Sequence, residues 1–332
     1  MRRLMPLLLV LTLGCRTTAP AQTPTQAPPL WELRTNPLID LHAWMRALVY
    51  RPAERPDIPG LEAAVQAVRK LGSPPAWGIY DGALIEADSV EGFAKLASEL
   101  PEAFEPRSGG RSMPMRAPME ETARAYAAID PAFREKIWPE HRRRIERVEA
   151  YLRTTLLPRS REVFADLERS LDAPSPASPI PVYVVAVAPL PQAFTFRSQA
   201  GPFSVLAFDG DPRTQWLEIV IHESIHSLDV MAGERSVLAG LRTRLEKVPG
   251  ASPQEIHDFV HTLMFAQAAG TVRKVFDPGH KDYGDIDGYY PKVPRAAAVV
   301  VPAWREYLEG RISREAALDR IVEGFAKEKG GP

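Results

Sequence analysis

Apolar side chains recur at three- and four-residue spacing between residues 36 and 172, a pattern that predicts successive amphipathic helices. Proline and glycine pairs interrupt the pattern, as at Pro74-Pro75. The predicted helices of this region are Leu38–Tyr50, Leu61–Leu71, Val90–Leu100, Glu120–Ala128, Pro131–Leu156 and Arg159–Leu171.

The pattern changes after the proline- and serine-rich stretch at residues 173–179. Short β-branched and apolar runs follow, and helical spacing then returns. The predicted strands are Val182–Ala188, Ala193–Arg197 and Ser204–Phe208, and the predicted helices are Gln215–Met231, Pro253–Phe276, Ala296–Tyr307 and Ser313–Lys327. We therefore predict a mostly helical α+β protein, with a small sheet that directly precedes the helix over residues 215–231.

That helix carries the sequence His222-Glu223-Ser224-Ile225-His226, an H-E-x-x-H motif. Two histidines four residues apart lie on one helix face, so both imidazoles can reach one metal ion. Zinc lowers the pKa of a bound water to about 7, and the intervening carboxylate can take the proton as that water attacks a carbonyl carbon. The motif predicts a Zn²⁺ site with His222 and His226 as ligands and Glu223 as general base.

A catalytic zinc ion has three protein ligands and one open position, so a third ligand is expected. His261 is the first choice, because it lies deep in the helix predicted over residues 253–276. The small residues at 268–270 would let this helix approach the motif helix closely. His257, one turn earlier, and Glu246 remain alternatives.

Other side chains could support such a site. Asp229 follows on the same helix face as both histidines and is a candidate to hold an imidazole N–H, although it could equally face solvent. The segment Asp282–Pro291 is rich in glycine, aspartate and tyrosine, which predicts a loop. Tyr283 and Tyr289 are its candidates for catalytic hydroxyl groups that stabilise an oxyanion.

A sheet leading into an H-E-x-x-H helix resembles the zincin metallopeptidases, and residues 173–332 would then form the zincin-like domain. The resemblance implies a peptide or protein substrate held along an edge strand, for which Gly201–Asp209 is the candidate. Glu246 stands at a spacing seen in thermolysin-like gluzincins, but its neighbours lack that family's pattern. The extended metzincin motif is absent, because Asp229 and Ala232 replace its glycine and its third histidine.

The first residues predict a signal peptide over residues 1–14, since the apolar run Leu4–Leu13 is shorter than the roughly 20 residues of a membrane span. The following Gly14-Cys15 resembles the lipobox of bacterial lipoproteins, although Thr12 departs from it. The resemblance implies lipidation of Cys15 and an anchor in the membrane of a bacterial cell envelope, with Arg16 favouring the outer membrane. Plain secretion is the alternative. Residues 15–35 would be a flexible tether, followed by a helical region over residues 36–172.

Composition narrows the class of protein. The chain has 41 basic and 42 acidic side chains and no basic patch with interleaved aromatic residues, which argues against nucleic acid as a partner. Because Cys15 is the only cysteine, neither an internal disulfide nor a cysteine-type zinc site is possible.

We therefore expect a zinc metallopeptidase. Two rival hypotheses stay open: a non-catalytic envelope lipoprotein that uses the fold as a binding module, and a zinc hydrolase of non-peptide substrates. Glu223 argues against the first, because a purely structural site needs no such carboxylate. The sequence does not separate peptide from amide or ester substrates, since one activated water serves all three.

Overall fold

The structure is a computed structural model that describes residues 28–72, 74–104 and 112–327. The predicted signal peptide and Cys15 lie outside these residues, so the lipid anchor stays a prediction. The helices are α1 (Pro37–Tyr50), α2 (Leu61–Lys70), α3 (Pro74–Leu84), α4 (Val90–Glu99), α5 (Arg116–Lys136), α6 (Trp138–Thr155), α7 (Ser160–Leu171), α8 (Thr214–Ala232), α9 (Val237–Glu246), α10 (Pro253–Val275), α11 (Tyr283–Ile286), α12 (Tyr289–Lys292), α13 (Pro294–Leu308) and α14 (Arg314–Lys327). The strands are β1 (Trp31–Arg34), β2 (Ala103–Phe104), β3 (Met113–Pro114), β4 (Ile180–Val185), β5 (Ala193–Ser198) and β6 (Gly201–Ala207).

The prediction of a mostly helical α+β protein is confirmed, and strands β4 to β6 directly precede α8 as expected. One predicted helix boundary is wrong: α5 continues through Pro131, and the break comes at Ile137. Pro139 lies in the first turn of α6, where the missing N–H of proline leaves no hydrogen bond unmade. Helix α3 likewise begins at a proline, Pro74, because the first turn of a helix does not need the missing N–H. In the sequence, the pair Pro74-Pro75 predicted only an interruption between helices.

The main sheet has the order β1-β4-β6-β5, in which β1, β4 and β6 are parallel and β5 is antiparallel to β6. The prediction that Gly201–Asp209 is the edge strand is wrong. Strand β6 pairs with β4 on one side and, through a tight turn, with β5 on the other. The edge strand beside the motif helix is therefore β5, and β1 forms the opposite edge.

The prediction of a flexible tether over residues 15–35 is wrong for its last residues, because Trp31–Arg34 forms β1 and pairs with β4. The Trp31 side chain is almost fully buried, and its indole N–H donates a 2.7 Å hydrogen bond to Ser224 Oγ on the motif helix. A strand of four residues shows too little alternation of apolar and polar side chains to be recognised from the sequence. Its stability comes from pairing with a strand about 150 residues later in the chain.

Two hydrophobic cores lie on opposite faces of the sheet. Alternation along β4 sends Val182 and Val184 into the core that contains α8 and α10, and Tyr183 and Val185 into the core formed with α1 to α5. Helices α6 and α7 contribute to the same core as α8 and α10. This core therefore contains residues from both sides of the predicted domain division at residue 172. Within the described ranges, no helix combines the length and apolar character needed to cross a membrane.

Candidate metal centre

The H-E-x-x-H motif lies in the middle of α8, as the helical pattern predicted. Its apolar stripe is buried and holds the helix against the sheet and α10, so the motif residues are fixed within a packed element. The helix ends at Ala232 and is capped by Gly233, whose φ of 57° lies in the left-handed region that favours glycine. The stripe consists of Leu217, Val220, Ile221, Ile225 and Leu228.

Helix α10 brings His261 to the motif. A capping box formed by Ser252 and Glu255 fixes the start of this helix, two turns before His261. The helix packs against both α8 and α13. The small residues at 268–270 were predicted to let α10 approach the motif helix. For Gly270 this prediction is wrong, because a Cβ there would overlap Leu308 of α13. That glycine therefore allows close approach to α13, while Ala268 and Ala269 are fully buried.

The three histidines converge on one point. His222 Nε2 lies 3.0 Å from His261 Nε2 and 3.2 Å from His226 Nε2, and all three ligand atoms lie within 4.8 Å of one another. Zinc–nitrogen bonds of about 2.0–2.1 Å at tetrahedral angles place neighbouring ligand nitrogens about 3.3 Å apart. The residues present therefore fit a zinc ion held by three imidazoles.

The electrostatics of the site also suit a cation. Burial, followed by repulsion from the neighbouring imidazoles, lowers the pKa of His222 and of His261 well below 6.5. Burial likewise lowers the pKa of His226 to about 4, although Asp229 opposes this shift. All three imidazoles are therefore neutral at pH 7, which is the form that binds a metal ion.

Glu223 is buried beside the three histidines, at 5% relative exposure. Its Oε2 accepts a 2.6 Å hydrogen bond from the hydroxyl of Thr195, which lies on β5. Burial raises the pKa of Glu223 to about 7, and the hydrogen bond from Thr195 acts in the opposite direction. The carboxylate is thus held by the edge strand and can gain or lose a proton near neutral pH.

Two aromatic residues fix the orientation of the imidazoles. The ring of Phe265 stacks on that of His222, with centroids 3.9 Å apart and an interplanar angle of 26°. Tyr289 Oη lies 2.9 Å from His261 Nδ1. With Nε2 directed at a metal, Nδ1 carries the proton and donates to the tyrosine oxygen. This contact favours an orienting role for Tyr289 over the predicted oxyanion role.

Tyr283 lies in the wall of the same cavity, half-buried. Burial raises its pKa, and a hydrogen bond with Asp287 adds to that effect. The segment Asp282–Pro291 was predicted as a loop, but it contains the short helices α11 and α12. No hydrogen bond joins Tyr283 to the histidines among the described residues, so its predicted oxyanion role stays a prediction.

A buried carboxylate one turn before the motif fastens this tyrosine-bearing segment. Glu218 Oε2 pairs with His280 Nε2 and accepts a 2.8 Å hydrogen bond from the backbone N–H of Tyr283. His280 Nδ1 also lies 2.9 Å from Thr214 Oγ1. The sequence reasoning missed Glu218, although an acidic residue four before His222 and beside the apolar stripe was the signal to find it.

The other predicted residues lie outside the three-histidine cluster. Asp229 accepts hydrogen bonds from Ser236 at 2.6 Å and from Arg242 at 3.2 Å, so it fastens the start of α9 instead of an imidazole. Glu246 is exposed at the end of α9. The exposed ring of His257 stacks on that of His261, with centroids 5.1 Å apart. Of the three candidates for the third ligand, only His261 joins the cluster.

A cavity of about 310 Å³ adjoins these groups, a size at the lower end of the range of small-molecule pockets. Strand β5, the motif helix, α10 and the tyrosine-bearing segment supply its walls. The lining residues are Pro191, Ala193, Phe194, Thr195, Ile219, His222, Glu223, His226, His261, Phe265, Tyr283, Asp287, Tyr289 and Lys292. None of the known protein-family models matches this chain, and no curated protein or solved structure matches it significantly.

Proposed function

We propose that this protein is a zinc-dependent peptidase, in which His222, His226 and His261 hold the metal and Glu223 is the general base. One observation carries the proposal: three neutral imidazoles converge on one point, and a buried carboxylate shares their cavity. A structural zinc site is closed by four protein ligands, whereas three imidazoles at a cavity leave one position for a reacting molecule.

Zinc, when bound, supplies a Lewis acid that makes water nucleophilic near neutral pH. Glu223 then accepts the proton of the attacking water and delivers it to the leaving amine. A general base works best when its pKa lies near the working pH, and burial moves the carboxyl pKa of Glu223 in that direction in the metal-free protein. Thr195 holds the carboxylate toward the cavity, and Tyr289 holds the ring of His261.

The edge strand supports a peptide as the substrate. Strand β5 has no strand partner on its outer side among the described residues, and its first residues line the cavity. Unpaired N–H and C=O groups of an edge strand bind extended peptides by adding a strand to the sheet.

The experiment is a cleavage assay of a peptide library with the zinc-loaded full-length protein and its Glu223→Gln variant. We expect wild-type cleavage, a loss of at least about 100-fold in Glu223→Gln, and unchanged zinc content. Glu246→Gln is the matched control, because this exposed glutamate lies outside the cluster. Hydrolysis of esters without any cleavage of peptides would instead support a non-peptide hydrolase, and tight zinc binding without hydrolysis would support a binding module.

A further inference from the structure

The hydrogen-bonding pattern of the β5–β6 pair determines which backbone groups of β5 face outward. Ala207 N donates a 2.8 Å hydrogen bond to Gln192 O, so these two residues form a hydrogen-bonded pair. Pairs alternate along an antiparallel ladder, and the register continues from Ala193 opposite Leu206. The N–H and C=O groups that point away from β6 therefore belong to Ala193, Thr195 and Arg197.

Helix α3 covers the last of these positions. A Cβ at Gly82 would overlap the backbone oxygen of Arg197, so the helix backbone lies directly against that outward carbonyl. Gly78, one turn earlier, faces the ring of Phe196, where a Cβ would lie 3.3 Å from the nearest ring atom. Glu86 accepts a 3.2 Å hydrogen bond from Gln199 N in the β5–β6 turn. An added strand cannot reach Arg197.

The other end of the edge is limited by the chain itself. Two residues before Ala193, the next outward position would be Pro191, which has no N–H to donate. Gln192 between them has a φ of 73°, so the backbone leaves the extended conformation there. The part of β5 that can pair with another chain is therefore confined to Ala193 and Thr195.

These two residues are also the ones next to the reacting groups. Both line the cavity that contains Glu223 and the three histidines. The side chain of Thr195 binds the Glu223 carboxylate, while its backbone N–H and C=O face outward. A peptide paired with Thr195 would thus lie beside the general base.

We infer that this site takes short peptides, bound in extended form through Ala193 and Thr195 alone. The inference rests on the proposed peptidase function and names its substrate class. Two outward positions on one strand lie about 7 Å apart, a distance spanned by three residues of the substrate. Substrate residues beyond that span gain no further backbone pairing, because α3 and Pro191 close the edge.

The experiment measures kcat/KM of the zinc-loaded full-length protein on a nested series of peptides from about three to about ten residues. We expect kcat/KM to rise up to about four residues and then to change by less than about threefold. A continued rise of tenfold or more toward the longest peptides would overturn the inference while leaving the peptidase function intact. If no peptide of any length is cleaved, the proposed function fails and this inference falls with it.

Hydrogen exchange gives a second readout that does not depend on turnover. A blocked tetrapeptide bound to zinc-loaded Glu223→Gln should protect the amide hydrogens of Ala193 and Thr195 and leave that of Arg197 unchanged. Arg197 is the internal control, because its N–H has the same outward orientation but lies where α3 covers the edge. Equal protection of all three amides would contradict the limit set by α3.

Discussion

Thr195→Val tests the contact between the edge strand and the general base. Valine keeps the shape and the β propensity of threonine, and the backbone groups of residue 195 are unchanged. The variant removes only the hydroxyl, which lies 2.6 Å from Glu223 Oε2, 2.9 Å from the Glu223 carbonyl oxygen and 3.0 Å from Ser204 Oγ. The Glu223 carboxylate then loses the side-chain hydrogen bond that holds it.

The magnitude follows from the chemistry of that bond. A hydrogen bond to a charged acceptor contributes about 1.5–3 kcal/mol. If this energy is lost only from the transition state, kcat falls by about 10- to 150-fold. KM should stay within about twofold, because the backbone groups that pair with a peptide are untouched, and zinc content should not change.

The assay is steady-state hydrolysis of one peptide at constant free zinc, with Thr195→Ser as the matched control. Serine restores a hydroxyl and should recover most of kcat. A Thr195→Val variant that retains kcat within about threefold would refute the positioning role. A variant that loses zinc would show that Thr195 supports the metal site and not the base.

Further predictions concern the metal site and the fold around it. Tyr289→Phe removes the acceptor of the His261 Nδ1 proton and should weaken zinc affinity by about 10- to 100-fold in a competition titration, whereas an unchanged affinity would contradict the orienting role. Trp31→Phe leaves Ser224 Oγ without its buried donor and should lower the free energy of unfolding in urea by about 1–3 kcal/mol. A change within about 0.5 kcal/mol, the size expected for an ordinary surface substitution, would contradict a stabilising role for this hydrogen bond. In the metal-free protein, burial lowers the pKa of His226 to about 4 from its ordinary value of 6.5, so the unfolded chain binds more protons between these pH values. The part of the stability that depends on His226 should therefore be constant above pH 6.5 and decrease as the pH falls toward 4. Because the raised pKa of Glu223 acts in the opposite direction over this window, this part is measured as the difference in urea midpoint between the wild type and His226→Ala, and a difference that stays constant would contradict the burial of this imidazole.

The central helices could be predicted because their information is local. The H-E-x-x-H spacing places two histidines on one face whatever the helix packs against, and the long apolar stripe of α8 predicts the helix itself. His261 could be ranked above His257 because it lies one turn further from the helix start, among larger buried residues. Its convergence with His222 depends on the packing of α10 against α8, which no local pattern contains.

The edge strand and its contacts could not be predicted in the same way. Strands β5 and β6 are both short and apolar, and only the pairing of β6 with β4 decides that β5 lies at the edge. Thr195 is unremarkable in sequence, because its importance comes from its hydrogen bond to Glu223, 28 residues later. Strand β1 was missed for a related reason, since its pairing partner lies in β4.

The most direct test of the metal centre is the zinc content of the purified protein, measured by mass spectrometry after expression in zinc-replete medium. The variants His226→Ala and His261→Ala remove proposed ligands, and Glu246→Ala and His257→Ala are controls for the two alternative positions. We predict one zinc ion per chain in the wild type and both controls, and loss of zinc in His226→Ala and His261→Ala. A wild-type protein without zinc, or zinc that survives His261→Ala but not Glu246→Ala, would contradict the three-histidine centre.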